Sequence, residues 1–165
     1  MADAALVALA ERLQHACIGR GLTVATAESC TGGLVAEAIT SVPGSSAYFV
    51  GALVTYADEA KAALLGVPAG LLARHGAVSA EVAAAMAAGA RDRLGTSLAV
   101  SITGVAGPDG GSAAKPVGLT YLGLATAAGV ETRQHQFGGD RAGNRDAAAR
   151  AALQSLVDHA ERAVG

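Results

Sequence analysis

Apolar side chains recur at helical spacing from Ala4 to Arg20 (Leu6, Leu9, Ala10, Leu13, Ala16, Cys17), and Gly21 follows as a helix stop. Leu22 to Ala27 is a short β-favouring run that leads into Glu28-Ser29-Cys30-Thr31-Gly32-Gly33, after which Leu34 to Ile39 has helical character. Pro43 to Ser46 reads as a loop, and Ala47 to Tyr56, rich in β-branched and aromatic residues, as a buried strand. Short helices are predicted over Asp58–Leu65 and Ala69–Arg74. A longer one runs to Leu94, with Ser79 as N-cap and Glu81 in its first turn. Leu98 to Thr103 is a strand, Gly104 to Ser112 a glycine-rich loop, and Val117–Ala125 with Glu131–Phe137 a hairpin around Ala127-Ala128-Gly129. Asp140 caps a last helix to Ala163, its apolar stripe marked by Ala148, Ala152, Leu156 and Ala160.

Strands and helices interleave, and the strands read as apolar on both faces. That pattern predicts an α/β fold, a three-layer α/β/α sandwich whose central sheet is mixed because the hairpin needs an antiparallel pair. No repeat, linker or boundary interrupts residues 1–165, so one domain is expected, within the ~100–200 residues usual for one. In such folds sites collect where strand ends meet loops and helix starts. Three segments have that character: Ser29–Gly33, Thr103–Gly111 and Gly138–Arg145.

Composition narrows the function. Twelve basic residues against fourteen acidic ones, five aromatics and no Trp argue against a nucleic-acid partner. The longest charge-free run, Ala38 to Ala57, is broken by Ser41-Val42-Pro43-Gly44-Ser45-Ser46, so no membrane span is expected. Asp3 and Glu11 replace the basic start of a signal peptide, and two cysteines make no disulfide framework. A soluble cytoplasmic protein is expected, assembled as a homo-oligomer with a dimer favoured. No metal site is expected: there is no C-x-x-C or H-E-x-x-H, and the four histidines lie far apart.

Each candidate segment has two readings. Ser29 or Thr31 can cap the helix after Gly32-Gly33; alternatively, free N–H groups at that helix start hold an anion or an oxyanion beside a Ser29 nucleophile. Cys30 is either a small buried side chain or a rival nucleophile. Ten of the twelve cations are arginine, which draws attention to Lys61 and Lys115. Lys61, one turn into a helix after Tyr56, is either a solvated lysine or a desolvated base for a serine hydroxyl. Ser112-Ala113-Ala114-Lys115 matches S-x-x-K, but Pro116 pushes Lys115 out of the helical region and the match fails. The Thr103–Gly111 loop fits neither common phosphate-loop pattern; Gly104 and Gly107 make a long turn or admit a ligand close to the backbone. Arg141 and Arg145 occupy the positive end of the last helix dipole, a placement that costs each ~0.3–1 kcal/mol. A docked anion would reverse that penalty; Asp140 or Asp146 could instead pair with Arg145.

Taken in order, Ala27-Glu28-Ser29-Cys30-Thr31-Gly32-Gly33, Val42-Pro43-Gly44-Ser45-Ser46, Val54-Thr55-Tyr56 with Lys61, and Leu65-Gly66-Val67 form a set. His75-Gly76-Ala77-Val78-Ser79, Thr103-Gly104-Val105-Ala106-Gly107-Pro108 and Lys115-Pro116-Val117-Gly118 complete it. Together they resemble the CinA C-terminal domain family, the nicotinamide-nucleotide amidohydrolases. The resemblance implies a three-layer α/β/α fold and hydrolysis of nicotinamide mononucleotide to nicotinic acid mononucleotide and ammonia, with no cofactor. It places Ser29 as nucleophile with Lys61 and Tyr56 beside it. Cys30, Thr31, Gly32, Gly33, Thr103, Gly104, Gly107, Arg141 and Arg145 become substrate-binding candidates, with Arg145 favoured for the phosphate. The alternatives are a non-catalytic nucleotide-binding module of the competence- or damage-inducible kind and an amidase for another small amide.

Overall fold

The Asp3 carboxylate accepts the Leu6 N–H at 2.9 Å and starts α1 (Ala4–Arg20), which ends where Gly21 turns left-handed. The structure, a computed structural model, describes residues 3–163. After α1 come β1 (Val24–Glu28), α2 (Leu34–Thr40), a 3-10 turn at Ser45–Ala47 and β2 (Phe49–Val54). Next are α3 (Asp58–Leu65), α4 (Ala69–His75), α5 (Ala80–Leu94) and β3 (Leu98–Gly104). The chain closes with β4 (Leu119–Thr126), β5 (Gly129–Gln136) and α6 (Arg141–Arg162).

The five strands form one mixed sheet in the order β2-β1-β3-β4-β5. β1 runs parallel to β2 and β3, while β4 is antiparallel to β3 and β5. Alternation along the strands sorts the core into two layers. Val24, Val100, Ile102, Leu122 and Leu124 pack with α1, α2 and α6 on one face. On the other face the strands present Ala25, Ala27, Ala99 and Ala125 to Val82, Met86 and Leu65 of α5 and α3. Small side chains there let α5 approach closely: a Cβ on Gly123 would stand 2.5 Å from the Ala83 carbonyl oxygen. The expected three-layer α/β/α sandwich is therefore present.

Two strand readings need correction. β5 is not apolar on both faces; Glu131, Thr132, Arg133 and Gln134 are all exposed, because β5 is an edge strand that α5 approaches without burying these side chains. The strand expected over Ala47–Tyr56 is only Phe49–Val54. The 3-10 turn takes its start, and Thr55 and Tyr56 leave the sheet toward α3. Among the described residues no helix is long and apolar enough to cross a membrane.

Topology fixes where a site can form. From β1 the chain crosses through α2 on one face, and from β2 it crosses through α3, α4 and α5 on the other. Adjacent parallel strands whose connections part to opposite faces leave a crevice at their carboxyl ends. Ser29 follows β1 at that crevice, and Tyr56 and Lys61 follow β2.

Candidate active site

Parallel pairing aligns Glu28 at the end of β1 with Val54 at the end of β2, so the residues after each strand meet although they are far apart in sequence. The Ser29 N–H extends the sheet by donating to the Ile102 carbonyl at 3.0 Å, while its hydroxyl faces the crevice. Lys61 sits in the first turn of α3 and is 1% exposed, which removes the reading of a solvated helix-face lysine. Its Nζ lies 3.1 Å from Ser29 Oγ and 3.0 Å from each of the Thr55 and Tyr56 carbonyls. Burial lowers the Lys61 pKa below its ordinary value, and the Asp58 charge opposes that shift only in part. A neutral amine in this position donates both its N–H groups to the two carbonyls. Its lone pair is then left facing the Ser29 hydroxyl.

Glu28 corrects the reading of the helix start. Neither Ser29 nor Thr31 caps α2. Instead Glu28, with no exposure, accepts the N–H groups of Gly33, Val35 and Ala36 at 2.9–3.1 Å and the hydroxyls of Thr26 and Thr31. The Gly33, Val35 and Ala36 amides at that helix start are therefore occupied and do not serve an oxyanion. Gly32 and Gly33 adopt positive φ (61° and 103°), which allows the chain to turn tightly enough to bring those amides onto the carboxylate. Among the described residues the Cys30 and Thr31 N–H groups donate to no backbone carbonyl.

The crevice is a cleft of about 290 Å³. Ser29, Cys30, Tyr56, Lys61, Thr103, Gly104, Gly107 and Arg141 line it, so most of the expected site residues come together. Thr31, Gly32, Gly33 and Arg145 lie outside the lining. Thr31 is fully buried with its hydroxyl on Glu28, and the Arg145 Nε and Nη2 donate to the Cys30 and Thr31 carbonyls at 3.1 and 2.9 Å. Neither Asp140 nor Asp146 takes Arg145: Asp140 caps Gly143, and Asp146 pairs with Arg150. Tyr56 reaches Lys61 through its main-chain carbonyl. Its phenol, 61% exposed as a residue, accepts from Arg141 Nη2 at 3.1 Å and makes no hydrogen bond to Ser29. Arg141 Nη1 also donates to the Gly107 carbonyl at 2.8 Å, so Arg141 spans the cleft mouth.

Cys30 is held as a protonated thiol. Burial pushes its thiol up to about 11, although Arg145 and Lys61 pull the other way, and little reactive thiolate forms at neutral pH. No histidine lines the cleft. Thr103 Oγ1 donates to the Ala77 carbonyl at 2.8 Å, which fixes the opposite wall. Gly104 is required by close approach, since a Cβ there would stand 2.6 Å from Thr120 Oγ1. Composition and spacing did not single out Asp58 and Asp109, which also line the cleft. A second cleft of about 670 Å³, lined by Pro108, Val117, Gly139, Ala142 and Arg145 among others, shares Ala106, Gly107 and Arg141 with the first.

The CinA C-terminal domain model matches residues 6–160. Nicotinamide-nucleotide amidohydrolase PncC of Escherichia coli K12 is 51% identical over 157 residues, covering 94% of this chain and 95% of PncC. A CinA-like protein of Geobacter sulfurreducens is 59% identical over 137 residues, 83% of this chain. The match takes in only 33% of that relative's length. The crystal structure of competence/damage inducible protein CihA from Agrobacterium tumefaciens aligns with a TM-score of 0.93 at 42% identity, covering 96% of this chain and 97% of that one. With sequence and fold in agreement along nearly its whole length, the chain belongs to the CinA C-terminal domain family.

Proposed function

We propose that the chain hydrolyses the carboxamide of nicotinamide mononucleotide, giving nicotinic acid mononucleotide and ammonia, with Ser29 as nucleophile and Lys61 as base. The observation that carries this reading is the buried Lys61 Nζ at 3.1 Å from Ser29 Oγ, in a cleft with no histidine to take the serine proton. The likeness to PncC over nearly the full length of both chains supports the substrate. So does the charge of the lining: Asp58 and Asp109 suit the pyridinium ring, and Arg141, facing both clefts, suits the phosphate.

Neutral Lys61 takes the Ser29 hydroxyl proton as Oγ bonds to the carboxamide carbon, and the carbonyl π pair moves onto oxygen. On this reading the Cys30 N–H, which donates to no backbone carbonyl, meets that oxyanion. Collapse breaks the C–N bond, and the Lys61 ammonium returns its proton to the departing nitrogen, which leaves as ammonia. Water then attacks the Ser29 ester with Lys61 again as base, releasing the carboxylate and restoring the hydroxyl. The role this gives the enzyme is return of a pyridine nucleotide amide to the acid used in NAD synthesis. Incubation with nicotinamide mononucleotide and separation of the products tests the reading: equal amounts of nicotinic acid mononucleotide and ammonia are expected. Intact substrate after prolonged incubation with folded protein would overturn it.

A further inference from the structure

We propose that Arg145 is a positioning residue for Ser29, holding the nucleophile's turn from behind, and that it is not the ligand for the substrate phosphate. The proposal rests on the reading of Ser29 as nucleophile and adds a residue that acts through the backbone.

Arg145 lies in the second turn of α6, yet its guanidinium edge reaches two consecutive carbonyls of the loop after β1, Cys30 at 3.1 Å and Thr31 at 2.9 Å. Two parallel N–H groups in a rigid plane suit two acceptors one residue apart; a lysine ammonium offers no such fork. The guanidinium also lies against Gly32, where a Cβ would stand 3.4 Å from Nη2. Because each peptide unit is planar and trans, fixing these two carbonyls fixes the opposed N–H groups of Thr31 and Gly32. The Gly32 N–H duly closes the turn onto the Ser29 carbonyl at 3.0 Å. From the other side the Glu28 carboxylate gathers the amides of Gly33, Val35 and Ala36. The loop is thus gripped by a cation on its carbonyls and an anion on its amides, and Ser29 sits at its start, 3.1 Å from Lys61.

This arrangement also accounts for a cation at the positive end of a helix dipole. The carbonyl oxygens of Cys30 and Thr31 supply the compensating negative ends, so no bound anion is needed at Arg145. Arg141 lines the Ser29 cleft itself, whereas Arg145 lines only the adjoining one.

The test compares wild type, Arg145→Lys and Arg145→Ala as full chains. A fluorophosphonate probe reports Ser29 reactivity by intact mass and peptide mapping, whatever the natural substrate. Kinetics on nicotinamide mononucleotide and on its riboside report phosphate recognition. In Arg145→Ala, probe labelling and kcat should both fall by about 100-fold, the loss that a misplacement of ~1 Å brings. KM for the nucleotide and the nucleotide-to-riboside ratio of kcat/KM should hold, because uniform binding is untouched. Arg145→Lys should fall between the two, and added guanidinium ion should restore labelling in Arg145→Ala. Wild-type labelling in either variant overturns the proposal, as does a collapse of the nucleotide-to-riboside ratio with labelling unchanged. Labelling of wild-type Ser29 without nucleotide hydrolysis would remove the proposed substrate, and the labelling comparison would still decide the role of Arg145. Failure of wild-type Ser29 to label would overturn both. Should Arg145→Ala not fold, Arg145→Lys carries the decision.

Discussion

Glu28 ties the end of β1 to the first turn of α2, and its replacement has a cost that can be worked from its contacts. The carboxylate has no exposure and meets five donors: Thr26 Oγ1 and the Ala36 N–H on one oxygen, Thr31 Oγ1 and the Gly33 and Val35 N–H groups on the other. In Glu28→Gln one oxygen becomes an NH2 group that itself donates. The better placement puts it where Oε1 was, since Thr26 can rotate to accept and only the Ala36 N–H is then opposed. One buried donor left unpaired costs ~1–3 kcal/mol, and loss of charge from the remaining bonds brings the total to about 3 kcal/mol. Against a total stability of ~5–15 kcal/mol this is large. A chain of this size loses ~2–4 °C of Tm per kcal/mol, so Tm should drop by about 6–12 °C. Glu28→Ala strands three backbone amides that cannot rotate away and should cost more, about 3–5 kcal/mol. Thermal melts and urea titrations of the two variants check the ordering. A Glu28→Gln protein melting within ~1 °C of wild type would refute the assignment of Glu28 as the anion that organises α2.

Lys61→Arg keeps a positive charge but supplies no neutral amine, and it forces a longer side chain into a site that is 1% exposed; turnover should fall by ~10²–10⁴, read as ammonia release. The wild-type kcat/KM should rise with pH through a pKa below the ordinary lysine value, because burial favours the neutral amine that accepts the Ser29 proton. Cys30→Ala should leave kcat within about 3-fold, since the thiol stays protonated and only the main chain serves the reaction. Arg141→Ala should lower the ratio of kcat/KM for nucleotide over riboside by ~10-fold or more, the loss of one charge-assisted contact.

Local signals carried much of the fold. α1 with Gly21, the Ser79 cap whose hydroxyl accepts the Val82 N–H, and the Asp140 cap of α6 were all legible, because periodicity and capping act within a few residues. The β5 edge was misread because covering a strand with helices is a property of the whole sheet. Residues that contact one another across the site were harder. Ser29, Tyr56 and Lys61 were named as a group by the family resemblance, but their contacts arise from the register of β1 against β2, which no local pattern encodes. Glu28 escaped notice although a carboxylate ending a buried β-favouring run was a usable signal; its role needs the first turn of α2 folded back onto it. The carbonyls of Cys30 and Thr31 that accept from Arg145 could not be read in the sequence, because composition never displays backbone acceptors.

The central claim, that Ser29 is the nucleophile of an amide hydrolysis, is tested most directly by the turnover of Ser29→Ala on nicotinamide mononucleotide. The side chain is small and 8% exposed, so its truncation should leave the fold intact. Ammonia release in the folded variant should fall by at least about 10⁴-fold, as removal of a covalent nucleophile does. Ammonia release within about tenfold of wild type would mean that another group or a water molecule attacks the carboxamide, and would contradict the mechanism drawn from the Ser29–Lys61 contact.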